Sequence, residues 1–212
     1  MKKPKIAILD YGMGNLFSIA SACKISDMDP IITSNKTKIE NAAALILPGV
    51  GAFNEAMSRL KKKNLIETII DFLKSGKNIF GICLGMQLLF SRSFEYKKTK
   101  GLGIVNGEIK KFKTNTSKNL KIPNTGWSKI EKDKQNWDET FFKDIKNQSY
   151  MYFVHSFYAE PKEAKIILSK SFFGEKTFCS SINYENIFAT QFHPEKSGSE
   201  GIQIYKNFMK GL

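Results

Sequence analysis

Arginine is almost missing from this 212-residue chain. Only Arg59 and Arg92 stand among its 33 basic residues, and the rest are lysines. That scarcity counts against nucleic-acid binding, the first meaning a net charge of +13 suggests. Readers of bases and phosphates lean on the planar fork of arginine, where lysine offers only a point charge. A solvated lysine surface accounts for the charge, although a basic face could still attract an anionic substrate or an acidic partner. Cysteine is scarce too: Cys23, Cys83 and Cys179 are odd in number, widely spaced and without a CxxC pair. That excludes a zinc-ribbon pattern and a disulfide framework and suits a reducing compartment. No apolar run approaches the roughly 20 residues that cross a bilayer. The opening "MKKPKIAILDYG" has an apolar run of only Ile6 to Leu9 before Asp10, which reads as a first strand and not as a signal peptide. A cytoplasmic protein with no membrane partner is expected.

What is present is an alternation of strand and helix signals. "KIAILDYG", "PIITS", Ala43–Leu47 and "NIFGI" are short apolar strands. Between them, "NLFSIASACKIS" has Leu16, Ile19, Ala20 and Cys23 on one helical face, and "NEAMSRLKKKNLIETIIDFLKSG" is helical in two pieces ending at Gly76. Strands that are apolar throughout and alternate with helices predict an α/β fold with a mostly parallel sheet covered on both faces. After Phe90 the texture changes. "GEIKKF", "GWSKI", "YMYFVHSFYAE", "AKIILSKSFF", "TFCSSINYE" and "IFATQFHPE" read as an added region of antiparallel strands, with "NWDETFFKDIKNQ" as a short helix or turn. Lys97–Lys100 and Lys113–Lys118 read as mobile loops. "GIQIYKNFMKGL" closes the chain as an amphipathic helix. No linker or repeat divides the chain, so one domain over residues 1–212 is expected.

Chemistry concentrates in "KNIFGICLGMQLLF". Cys83 stands in G-x-C-x-G, between an apolar strand and what reads as a long apolar helix. This is a cysteine version of the nucleophile elbow. The sharp turn strains the central residue, and glycines on either side remove the Cβ atoms that would clash. The sulfur then sits at a helix N-terminus, which favours a thiolate. A plain alternative is a small buried core residue. A cysteine nucleophile needs a base, and the chain holds two histidines, His155 and His193. In "TQFHPEKSG", Glu195 lies two residues beyond His193. Pro194 keeps the backbone extended, so the two side chains should project together and the carboxylate can orient the imidazole. His155, in "YFVHSFY", has no acidic neighbour on its face, which suits a structural or substrate-pocket role. "PGVGAF" follows another apolar strand. Its glycines let backbone N–H groups come close to a substrate, where they can serve an oxyanion hole.

These segments together resemble the class I (triad) glutamine amidotransferases, from "ILDYGMGNL" near the start to "QFHPEKSG" near the end. "DYGMGN", "LPGVGAF", "GLGIVNG" and "YFVHS" look most like the glutaminase subunits of imidazole glycerol phosphate synthases. The resemblance implies hydrolysis of L-glutamine to glutamate and ammonia by a triad of Cys83, His193 and Glu195, with no cofactor and no metal. It implies an oxyanion hole from Gly49, Val50, Gly51 and Leu84, and substrate binding by Gln87, Ser156 and Phe157. It also implies a heterodimer with a (β/α)₈-barrel synthase that receives the ammonia for histidine biosynthesis. The partner face would include Tyr11, Gly12, Met13, Gly14, Asn15, Trp127, Tyr152 and Lys196, and hydrolysis would be slow until the partner docks. One departure stands out. The family has histidine after the proline of "IPNTGWSKI", near the partner face, where this chain has Asn124. A paralogous subunit supplying ammonia for a surface sugar is therefore a second reading. A non-catalytic docking protein is a third, opposed by the intact Cys83, His193 and Glu195.

Overall fold

The computed structural model describes residues 3–113 and 121–212. In chain order the elements are β1 (Lys5–Leu9), α1 (Leu16–Ile25), β2 (Asp29–Thr33), α2 (Lys36–Glu40), β3 (Ala44–Leu47), α3 (Phe53–Lys62), α4 (Leu65–Lys74), β4 (Asn78–Ile82) and α5 (Leu84–Leu88). There follow β5 (Phe90–Ser93), β6 (Thr99–Lys100), β7 (Val105–Lys111), β8 (Asn124–Lys129), β9 (Glu131–Lys132), β10 (Tyr150–His155) and β11 (Phe157–Pro161). Last come β12 (Ile167–Phe173), β13 (Lys176–Tyr184), β14 (Ile187–Thr190) and α6 (Gly198–Lys210).

The main sheet runs β2-β1-β3-β4-β14-β13-β11-β7-β5-β6. Its first half is parallel: β1 lies between β2 and β3, and β4 between β3 and β14. Alternation along each strand sends neighbours to opposite faces. Ala7, Leu9, Leu45, Leu47 and Ile79 join the core under α3 and α4. Ile6, Ile8, Ala44, Ile46 and Phe80 join the core under α1 and α6. Two-sided burial is why these strands read as unbroken apolar runs. From β13 onward the sheet turns antiparallel, with β5 parallel to β7 as an exception. β8 and β10 form a separate antiparallel ribbon.

Three expectations are corrected here. The helix after Cys83 is short, since α5 ends at Leu88. Backbone N–H groups of Leu102, Gly103, Ile104 and Val105 take the carbonyls of Leu88, Leu89 and Phe90 that a longer helix would have used. The apolar run there reflects burial and not helix length. "YMYFVHSFYAE" is two strands, because the chain leaves the ribbon at His155 and enters the main sheet at Phe157. The expected loop at Lys97–Lys100 contains β6, which pairs with β5. Of the other expected loop, all but residue 113 lies outside the described residues.

Candidate active site

β4 ends at Ile82, and the backbone then doubles back through Cys83 at φ 54° and ψ −108°. Such a conformation costs an L-residue about 1–3 kcal/mol and persists only where the surroundings enforce it. Here they do. The Cys83 N–H donates to the Thr190 carbonyl at 2.7 Å, tying the elbow to the end of β14. A Cβ at Gly85 would run into the Leu47 carbonyl, and one at Gly81 would sit 3.1 Å from Met86 backbone atoms. Both glycines of the motif are therefore required by close approach, as the turn chemistry predicts.

His193 and Glu195 lie beyond β14, on the chain strand next to the elbow. His193 Nδ1 is 2.8 Å from Glu195 Oε1, and both side chains are almost wholly shielded from water. They meet differently from the expectation. His193 is extended, as a residue before proline should be, but Pro194–Lys196 forms a single 3₁₀ turn that swings the carboxylate back to the ring. The turn is fixed by the His193 N–H on the Tyr152 carbonyl and the Ser197 hydroxyl on the His193 carbonyl. Burial works against a charge on His193, but the Cys83 sulfur and Glu195 outweigh it and lift its pKa to about 10. Nδ1–H faces Glu195. Nε2 is buried and has no hydrogen-bond partner among the described residues, so it is free to exchange a proton.

Cys83 forms part of the wall of a 310 Å³ cavity with Val50, Gly51, Leu84, Gln87, Glu95, Pro123, Val154, His155, Ser156 and Phe157. That volume suits a small metabolite. It brings together the elbow, Val50 and Gly51 of the turn after β3, and the predicted substrate residues. A larger groove of 1030 Å³ lies elsewhere, over α3 and α4, and has none of this chemistry. Gly49 packs hard against the elbow: a Cβ there would lie 2.8 Å from Leu84 Cβ and 3.2 Å from the Gly85 nitrogen. Cys23 and Cys179 are buried away from the cavity, and burial pushes the Cys23 thiol up to about 12 and that of Cys179 higher.

His155 is the other wall histidine. Its Nδ1 lies 2.8 Å from the Phe157 carbonyl, and Asn124 Nδ2 lies 3.0 Å from its Nε2. The ring therefore carries its proton on Nδ1 and accepts at Nε2. Burial lowers its pKa to about 4. Asn124, expected near the partner face, is thus a buried partner of His155.

The other residues expected at that face are on the surface, except one. Gly12 and Asn15 are exposed, and Met13 and Gly14 half-buried. Trp127, Tyr152 and Lys196 form one cluster, with an edge-on ring pair and the ammonium over the Tyr152 ring. Tyr11 is wholly buried, and its hydroxyl donates to the Pro48 carbonyl at 2.8 Å, bracing the turn that carries Gly49–Gly51. Two wall or centre residues were missed by sequence reasoning. Glu95 sits in an irregular segment that carries no signal. Gln191 shares the two-residue alternation of His193 and Glu195, which was the available clue.

The family described as "Glutamine amidotransferase class-I" matches residues 7–212. The chain belongs to the class-I glutamine amidotransferase family. Its relatives include proteins called imidazole glycerol phosphate synthase subunit HisH from Caldanaerobacter subterraneus and Chlorobaculum tepidum. They are 45% and 40% identical over 96% of this chain, and over 96% and 98% of their own lengths. A third, from Aquifex aeolicus, is 38% identical over 97% of this chain and 96% of its own. Among solved structures, PurLQS from Thermotoga maritima matches with a TM-score of 0.75 at 16% identity, covering 99% of both chains. The glutaminase domain of CTPS from Trypanosoma brucei matches at 0.61 and 15%, covering 98% of this chain and 92% of its own. These two bear on the fold alone, and they agree with an amidotransferase sheet flanked by helices. Among the described residues no helix is long and apolar enough to cross a membrane. Nor do any three His, Cys, Asp or Glu side chains there gather as a metal site.

Proposed function

We propose that this amidotransferase hydrolyses L-glutamine at Cys83 and passes the ammonia to a (β/α)₈-barrel synthase partner of histidine biosynthesis. The observation that carries the catalytic reading is the strained Cys83 elbow in the cavity wall beside a buried His193–Glu195 pair. The Cys83 thiolate attacks the side-chain amide carbon of glutamine. Backbone N–H groups of the Gly49–Gly51 turn and of Leu84 take the oxyanion. His193, protonated and held by Glu195, gives its Nε2 proton to the departing nitrogen, and ammonia leaves a thioester. The neutral imidazole then draws a proton from water, hydroxide adds to the thioester, and glutamate departs with the thiolate restored. Gln87, Ser156 and Phe157 border the substrate, and Glu95 supplies an anionic group for its ammonium. The names of the relatives support the histidine client. The docked face comprises Gly12–Asn15, Trp127, Tyr152 and Lys196, with Tyr11 acting from beneath.

Cys83→Ala tests the reading. It should abolish glutamate release in the complex with the barrel partner, while added ammonium still supports synthesis. Glutamate release near the wild-type rate would overturn the assignment of Cys83.

A further inference from the structure

The triad leaves a buried side chain unexplained. Gln191 is 0% exposed, so its amide is cut off from water and needs partners within the protein. It has them in one chain of contacts. Gln87 Nε2 lies 3.0 Å from the Phe157 carbonyl oxygen and 2.9 Å from Gln191 Oε1, and Gln191 Nε2 lies 3.6 Å from Cys83 Sγ.

Chemistry fixes the direction of this chain. A peptide carbonyl can only accept, so the Gln87 atom facing Phe157 must be its amino group. The same amino group faces Gln191, so the Gln191 atom there must be its oxygen. The Gln191 amino group is then left for the sulfur. Turning Gln191 over would set two amino groups against each other, and turning Gln87 over would set two oxygens together.

We propose that Gln191 is a further catalytic residue, whose side-chain N–H holds the Cys83 sulfur as a thiolate, with its orientation imposed by Gln87. This rests on Cys83 being the nucleophile. As a thiol, Cys83 can donate to the Val154 carbonyl, 3.9 Å away, while accepting from Gln191. As a thiolate it only accepts, and the Gln191 bond becomes charge-assisted, about twice as strong as its neutral counterpart. The difference favours the thiolate by roughly 10-fold. His193, which is cationic, and Tyr11, whose phenol burial keeps neutral, also act on the sulfur, and His155 and Glu95 line the same cavity. Neither His193 nor Tyr11 shares the Gln87–Gln191 chain.

The test is alkylation of Cys83 by iodoacetamide in the full chain, followed by peptide mass across a range of pH. In Gln191→Leu the rate near neutral pH should fall roughly 10-fold, and the two rates should converge where every thiol is ionised. Wherever its carboxyl is ionised, Gln191→Glu should be slower still, because it keeps an acceptor for Gln87 but aims a second oxygen at the sulfur. A residue that merely filled space would give the reverse order, since glutamate is the closer isostere. If Gln191→Leu does not fold, Gln191→Glu decides alone, and a wild-type rate in it overturns the proposal. So does labelling of Cys83 that ignores residue 191. No label on Cys83 in the unaltered chain would overturn the nucleophile reading and this inference with it.

Discussion

His193 and His155 make a natural comparison. Both rings are shielded from water and both set Nδ1 against an oxygen; His155 lines the cavity that Cys83 shares, and His193 acts on Cys83 itself. Yet one is held at about 10 and the other at about 4. Burial works against the charge in each. The difference lies in the partners. His193 has a carboxylate on one side and the Cys83 sulfur on the other. His155 has a carbonyl and an amide, both neutral, and packs against the rings of Phe112, Phe153 and Phe178. Position near the chemistry does not make a histidine a base. Charged partners do, and neutral ones make it part of the wall.

The sharpest way to break the comparison is to remove the His193 ring or the carboxylate beside it. His193→Asn should lower kcat by about 1,000-fold or more, because the group proposed to move protons is gone. Glu195→Gln should be roughly 10- to 100-fold less damaging, since the orienting carboxylate makes and breaks no bond. Steady-state glutamate release from the complex measures both, and the opposite order would reverse the roles assigned here.

The next effect is on stability and pH. The folded pKa of His155 is depressed from 6.5 to about 4, so the unfolded chain binds its proton first. Stability from this group is intact above 6.5 and is lost as pH falls toward 4. Between about pH 7 and pH 5 the loss should be ~2 kcal/mol. Urea unfolding of wild type and His155→Gln at both pH values checks it, because the variant should lack that part of the acid sensitivity. For His193 the sign is opposite. Its folded pKa is raised, so its contribution is present below 6.5 and is lost as pH climbs through about 10.

The smallest effect on turnover concerns Asn124. Asn124→Ala should cost roughly 1–3 kcal/mol by stranding His155 Nε2 in the interior. Thermal unfolding reads that directly. Glutamine turnover by the folded variant should change far less than in either triad variant.

Much of this site was legible before any coordinates, for reasons that differ by residue. Cys83 could be read because a nucleophile elbow demands glycines at fixed offsets. His193 and Glu195 could be paired by spacing, although a 3₁₀ turn brings them together and not an extended strand. The parallel half of the sheet could be read because two-sided burial leaves uniformly apolar strands. Other features depend on long-range pairing and leave no local mark. The early stop of α5 is set by N–H groups at residues 102–105. Tyr11, inside a glycine-rich turn and expected at the partner face, is buried in the core with its hydroxyl on the Pro48 carbonyl. Asn124 shows as a departure in sequence, but its bond to His155 spans 31 positions along the chain.

The Phe157 carbonyl has a consequence for which amino acids the enzyme accepts. Two donors converge on it, from His155 and Gln87, and Gln87 is itself fastened to Gln191. This part of the cavity wall is therefore one stiff piece and cannot slide inward to meet a shorter guest. Asparagine, with one methylene fewer, would leave its amide carbon short of the sulfur whenever its α-groups were held in the glutamine position. A single methylene is ordinarily worth about 10- to 200-fold in discrimination. A wall that cannot follow the shorter substrate should put asparagine at the upper end of that range.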